Sequence, residues 1–201
     1  LGLDAGFNWS GVSLPKRRRG ATLYSREAGA GWQVAVDGRG TLAGNAPAVL
    51  VEDGGALANY TPGTNGTLFS PQGGLRASLL DMAALARAAA EVPAMAEPLW
   101  RHDAARTNGD DEGGYFETFA AGAQVHEAAA SPIPGVTLIG HHGEAFGLFS
   151  GAFHAPALDA EIAFAVTGTS TPGAVRAARH PVMVEATVPL WAAAEGLLFA
   201  V

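Results

Sequence analysis

Val136-Thr137-Leu138-Ile139-Gly140-His141-His142-Gly143-Glu144-Ala145-Phe146-Gly147 sets a short β-branched and aliphatic run directly against a His-His-Gly segment. Turn formers Pro132, Pro134 and Gly135 precede it, so residues 136–139 read as a strand that delivers residues 141–144 to whatever lies beyond its end. Residues 146–153 and 160–166 are two more apolar runs of strand length, separated by Pro156 and Asp159. Upstream, Tyr115-Phe116-Glu117-Thr118-Phe119 and Ala123-Gln124-Val125 also read as extended. Successive strands with short connections favour an antiparallel meander, because a parallel pair needs a long crossover. The chain closes with a helix from about Val188, where Pro189 suits the first turn. Leu190, Trp191, Ala194, Leu197 and Leu198 give that helix an apolar stripe that needs a sheet face to cover. The expected class is α+β: an antiparallel sheet covered by a C-terminal helix, plus part of a helical and loop lobe.

The lobe is read from the residues before the meander. Ser78 can cap a helix, and Asp81 three residues on completes a capping box. Met82, Leu85, Ala86 and Ala89 recur at helical spacing and mark its buried face. Glu91-Val92-Pro93 ends it, since a residue before proline avoids the helical region. Residues 28–66 are glycine-rich and read as loop, interrupted by short extended pieces at Trp32-Gln33-Val34-Ala35-Val36 and Ala48-Val49-Leu50-Val51. Residues 1–112 are therefore expected to form the mainly helical and loop portion, and residues 113–201 the sheet with its helix.

The 201 residues are 48% hydrophobic and only 15% charged, enough apolar surface for a packed core. A net charge of −7 disfavours binding to a phosphate backbone, and the single basic run, Lys16-Arg17-Arg18-Arg19, reads as a solvated segment; no nucleic-acid partner is expected. The absence of cysteine excludes disulfides, thiolate zinc sites and thiol nucleophiles. No apolar run is long enough to span a membrane. The sequence starts at Leu1 within ordinary fold sequence, so a true N-terminus and any targeting signal are expected upstream.

Four stretches, taken in order, resemble one family. Ser70-Pro71-Gln72-Gly73-Gly74-Leu75-Arg76-Ala77-Ser78-Leu79-Leu80-Asp81-Met82-Ala83 is similar to the "G-G-L-x-S-T-x-x-D-M-A" segment of class C β-lactamases and related D,D-peptidases and esterases. Gly140-His141-His142-Gly143-Glu144-Ala145-Phe146-Gly147 resembles the His-x-Gly form of that family's third active-site motif. The opening Leu1-Gly2-Leu3 matches the end of its "P-L-G-L", and the closing helix resembles the family's C-terminal helix. The resemblance covers essentially the whole chain.

It implies a serine hydrolase acting through an acyl-enzyme on an amide, β-lactam or ester, of which this chain is the C-terminal portion. By resemblance His141 faces the substrate carboxylate or carbonyl, and the backbone N–H of Glu144 is one of two oxyanion donors. Gly143 allows close backbone approach and His142, in place of a usual small residue, lines the site. An exposed strand edge here could pair with an extended peptide substrate. The family's Ser-x-x-Lys and Tyr-x-Asn motifs belong upstream of "P-L-G-L" and have no counterpart in that order. Ser13-Leu14-Pro15-Lys16 spells Ser-x-x-Lys on the wrong side of it, without apolar helical periodicity. No Gly-x-Ser-x-Gly elbow, Walker loop or dinucleotide fingerprint is present. No cofactor is expected, and no metal either: His141, His142 and His154 are near in sequence but lack a His-Glu-x-x-His pattern. The expected partners are a small-molecule or peptide acyl substrate and the missing N-terminal half; the resemblance favours a periplasmic or secreted location. The alternative reading is a non-catalytic penicillin-binding-like fold used as a binding module.

Overall fold

The computed structural model describes residues 1–7, 11–26, 29, 31–36, 74–106, 108–109, 116–170 and 185–200. Residues 70–73 of the first motif, Tyr115 and the extended piece expected at 48–51 lie outside them. Helices α1 (Leu14–Arg17), α2 (Leu79–Ala90), α3 (Pro93–Ala96) and α4 (Val188–Leu198) accompany two sheets. A six-stranded sheet has the order β3-β4-β5-β6-β7-β8, formed by Trp100–Arg101, Thr118–Phe119, Gln124–His126, Leu138–Ala145, Leu148–Ala155 and Ala160–Val166. A three-stranded sheet has the order β2-β1-β9, formed by Gln33–Val36, Leu23–Arg26 and Gly168–Ser170. The class is α+β with an antiparallel sheet and a C-terminal helix, as the strand and helix patterns predict.

In the large sheet, strands consecutive in the chain are neighbours, and the β4–β5, β6–β7 and β7–β8 connections are too short for a crossover. Phe146 (φ 54°) and Gly147 (φ 80°) join β6 to β7 as a two-residue turn with both central residues left-handed, the geometry that matches strand twist in tight hairpins. Asp159 (φ 48°) turns the chain from β7 into β8. Strand β6 runs from Leu138 through Ala145, so residues 141–144 lie within the strand rather than past its end as expected. Gly140 and Gly143 lie inside it without turning the chain, and the turn comes only at Phe146-Gly147. Gly140 can occupy its interior because β7 presses close: a Cβ there would run into the Ala152 carbonyl oxygen.

The chain divides into two compact units that do not follow the expected 112/113 boundary. The first comprises Leu1–Asp81, Gly143–Phe149 and Thr167–Thr171; the second comprises Met82–His142, Ser150–Val166 and Pro172–Val201. In the first, β1 pairs antiparallel with β2 and parallel with β9, which returns from far along the chain. Short extended pieces were expected before residue 66, but a sheet completed by residues 168–170 was not.

In the second unit helices pack on both faces of the sheet, closely on one and around a groove on the other. One packs against α4, where the buried Trp191 ring lies 5.1 Å from Phe164 and 5.9 Å from Phe153. On the other, Ala120, Ala123, Val125 and Ile139 form a cluster closed by Ala90, Met95 and Ala96. Helix α4 buries Trp191 and half-buries Ala194, Glu195 and Leu198, the positions three, four and seven residues on. Leu190 and Leu197, expected in the same stripe, point away from that face and are exposed. Helix α2 starts on the capping box read from the sequence: the Ser78 backbone N–H donates to Asp81 Oδ2 at 2.9 Å and the Asp81 N–H donates to Ser78 Oγ at 3.2 Å.

Candidate functional site

Strand alternation decides the fates of the two adjacent histidines. Successive side chains on a strand point to opposite faces. Within Leu138–His142, only His141 is exposed. It lies on the wall of an open groove of about 400 Å³ that is otherwise apolar, with Met82, Leu85, Ala86 and Ala89 of α2 and Met95 among the lining. The helix stripe read as buried is thus turned toward the groove, and Leu85 remains partly exposed. The His141 ring stands 6.2 Å from Phe119, and its Nδ1 contacts the His142 carbonyl oxygen. Pairing between β5 and β6 ends at Gly140, opposite Gln124, so His141 follows the last residue held by that ladder.

His142, expected to line the substrate cleft, is instead buried on the α4 face. Its ring lies 4.7 Å from Phe153, 5.5 Å from His126 and 6.1 Å from Trp191. Its backbone N–H donates to Gln124 Oε1 at 3.0 Å, and its Nδ1 donates to the same oxygen at 2.9 Å. The period of two explains the correction: with His141 facing the groove, His142 must face the other way. Gln124 and His126, both buried, were not singled out in the sequence; their signal was the period-two placement of Gln124 and His126 around Val125 on one short strand.

Gly143 is half-buried and Glu144 exposed, both in the first unit. N–H groups two residues apart on a strand point to the same edge. The Glu144 N–H therefore follows that of His142 in the alternation. The structure presents His141 and Glu144 to solvent and withdraws His142.

The upstream Ser-x-x-Lys look-alike is committed elsewhere. Ser13 precedes the single-turn helix α1, and its backbone N–H and hydroxyl both donate to the Asp4 carboxylate, at 2.7 and 2.5 Å. The hydroxyl bond holds the Asp4 carboxyl below its usual range. Lys16 Nζ donates to the Asp4 carbonyl oxygen at 2.7 Å and pairs with Asp81 Oδ2. The Lys16 ammonium and the Ser78 hydroxyl beside it push the Asp81 carboxyl down to about 2. A serine nucleophile needs a base within reach of its hydroxyl proton. Here that proton is aimed at a carboxylate and the lysine is ion-paired, so the group works as a clamp on the N-terminus of α2. Spacing could not reveal it, because Lys16 and Asp81 are 65 residues apart.

A second ion-pair group lies in the second unit. Arg87 of α2 reaches Asp159 at 2.6 Å and Glu161 at 2.5 Å, and Glu161 also meets His154 Nδ1 at 3.1 Å. Among the described residues no group of three or more His, Cys, Asp or Glu is placed to hold a metal ion, and no helix is long and apolar enough to cross a membrane. Comparison of the chain with models of protein families, with curated proteins and with solved structures found no match. The resemblance to serine β-lactamases accordingly stands on the ordered motifs alone.

Proposed function

We propose that this chain is the C-terminal portion of a β-lactamase-related serine hydrolase and supplies the wall that carries its third motif. The observation that supports this reading is His141, the one exposed side chain in the run Leu138–His142 and the one polar side chain on the groove. A histidine so placed can donate to a substrate carbonyl or carboxylate. Glu144 follows on the same strand, and the role of its N–H as an oxyanion donor is carried over from the family resemblance. On this reading the nucleophile and its lysine are not among these 201 residues, and the substrate is a small-molecule or peptide amide, β-lactam or ester. A periplasmic or secreted location goes with the same reading.

Two measurements test it. A fluorophosphonate or fluorescent penicillin should leave no covalent adduct on this 201-residue chain, as read by intact-mass spectrometry; a labelled Ser13 would show that the clamp is a catalytic pair after all. In the protein that carries the upstream motifs, His141→Gln should lower kcat on a chromogenic cephalosporin or generic ester by roughly 100-fold, the scale of losing one transition-state donor. Unchanged kinetics there would remove the reading.

A further inference from the structure

The strand backbone sets where the proton of the His141 ring sits. Its Nδ1 contacts the His142 carbonyl oxygen. A carbonyl oxygen only accepts, so Nδ1 carries the proton in this contact. In a neutral imidazole the other nitrogen then holds the lone pair and accepts. Nε2 is therefore the acceptor of the ring, and among the described residues no group donates to it. The Phe119 ring, 6.2 Å away, meets the imidazole edge to face. The same His141 forms part of the groove wall, and the groove volume of about 400 Å³ is that of a small-molecule site. Met82, Leu85 and Met95 line it with aliphatic and thioether chains that adapt to the shape of an apolar group. No charged side chain lines it among the described residues, so an ionic group entering it would lose water without gaining a counter-charge. The whole lining belongs to the second unit, so one compact body holds the groove and the acceptor together.

We infer that the groove is a binding site for a neutral secondary amide with an aliphatic chain: the chain lies against Met82, Leu85 and Met95, and the amide N–H donates to His141 Nε2. The N–H is the selective feature. An ester or a tertiary amide presents only acceptors and would set an oxygen against the Nε2 lone pair. The donor role of His141 toward a carbonyl or carboxylate belongs to the doubly protonated ring; the neutral ring takes an N–H. The inference deepens the hydrolase reading by choosing an amide over an ester, and it rests on that reading only in making the amide a substrate. The groove, the proton on Nδ1 and the open Nε2 stand independently of it.

The test titrates the full chain with N-methylhexanamide and with its tertiary analogue N,N-dimethylhexanamide, followed by NMR. The extra methyl adds apolar area, so burial alone favours the tertiary amide. Donation to Nε2 reverses that order: wild type should bind the secondary amide more tightly by roughly fivefold, the scale of one net hydrogen bond. The methyl resonances of Met82 and Met95 should shift on binding. His141→Leu should lose the preference or invert it. The ring nitrogen resonances of wild-type His141, assigned by their loss in His141→Leu, should show a protonated Nδ1 and a bare Nε2 when the ring is neutral. Equal or reversed preference in wild type, a preference kept by His141→Leu, still methionine methyls, or a proton on Nε2 would each overturn the inference. Should that happen while His141→Gln still loses turnover, the hydrolase reading survives alone. Should His141→Gln keep its turnover while the amide preference holds, the groove stands as a binding site and the hydrolase reading fails.

Discussion

The two faces of strand β6 carry the same residue type side by side and treat it in opposite ways. On the α4 face, His142 is enclosed by Phe153, His126 and Trp191, and Gln124 fixes its ring. On the groove face, His141 meets small alanines, two methionines and open space. One face is built from large rings and one amide, and the other from alanines and flexible aliphatic and thioether side chains that leave an open groove. The contrast teaches that the identity of a residue pair says little, whereas its position in a period of two says which member packs and which is available for chemistry.

The comparison breaks first if Trp191 is not the anchor of the packed face. Trp191→Ala should destabilise the chain by about 3–5 kcal/mol, the range for deleting a buried large aromatic. Met95→Ala, on the open face, should cost clearly less because its site is partly solvated. Urea unfolding of both variants measures the difference, and equal losses would mean that the two faces are packed alike. Gly140→Ala comes next. Its methyl would meet the β7 backbone, which cannot move aside as a side chain could. The expected loss is about 2–3 kcal/mol, at the upper end of overpacking effects.

These effects were partly foreseeable in the sequence. The apolar run at 160–166 coincides with β8, Ser78 and Asp81 form the capping box, and Trp191 faces the sheet. All three depend on local periodicity or on chemistry within three or four residues. What could not be read depends on distant partners. The parallel pairing of β1 with β9 joins Tyr24 to Gly168, and the Lys16 clamp joins two segments with no spacing signal. The end of β6 was misplaced because glycine and two histidines resemble a turn; the strand continues through them beyond the last pair with β5, as a neighbour of β7. For the four residues marked from the sequence, the motif did not say which face each one takes; the register of β6 assigns His141 to the groove and His142 to the packed side.

The Lys16–Asp81 clamp gives the comparison a pH axis. The Asp81 carboxyl is depressed to about 2 in the folded chain against an ordinary value near 3.8. A depressed carboxylate adds stability above its unfolded value and loses it as pH falls through the folded one. Stability should therefore decline between about pH 4 and pH 2 through this group. Asp81→Asn should remove that part of the acid limb and cost about 1 kcal/mol at neutral pH, a typical loss for a helix cap. An acid limb unchanged in slope would show that Lys16 does not hold Asp81 in solution.

The smallest stability effect separates the two histidines most sharply. His142→Ala should cost about 2–4 kcal/mol, since it empties a volume among rings and leaves the buried Gln124 oxygen with one donor fewer. His141→Ala should stay within about 0.5 kcal/mol, the usual result for an exposed side chain away from packed features. Thermal melts of the two variants beside wild type measure both at once. If His141→Ala costs as much as His142→Ala, then His141 is part of the core, and its exposure on the groove is no guide to a functional role. If only His142→Ala melts early, the fold has little structural use for the imidazole at position 141, and the proposed role on the groove stays open to the kinetic test of His141→Gln.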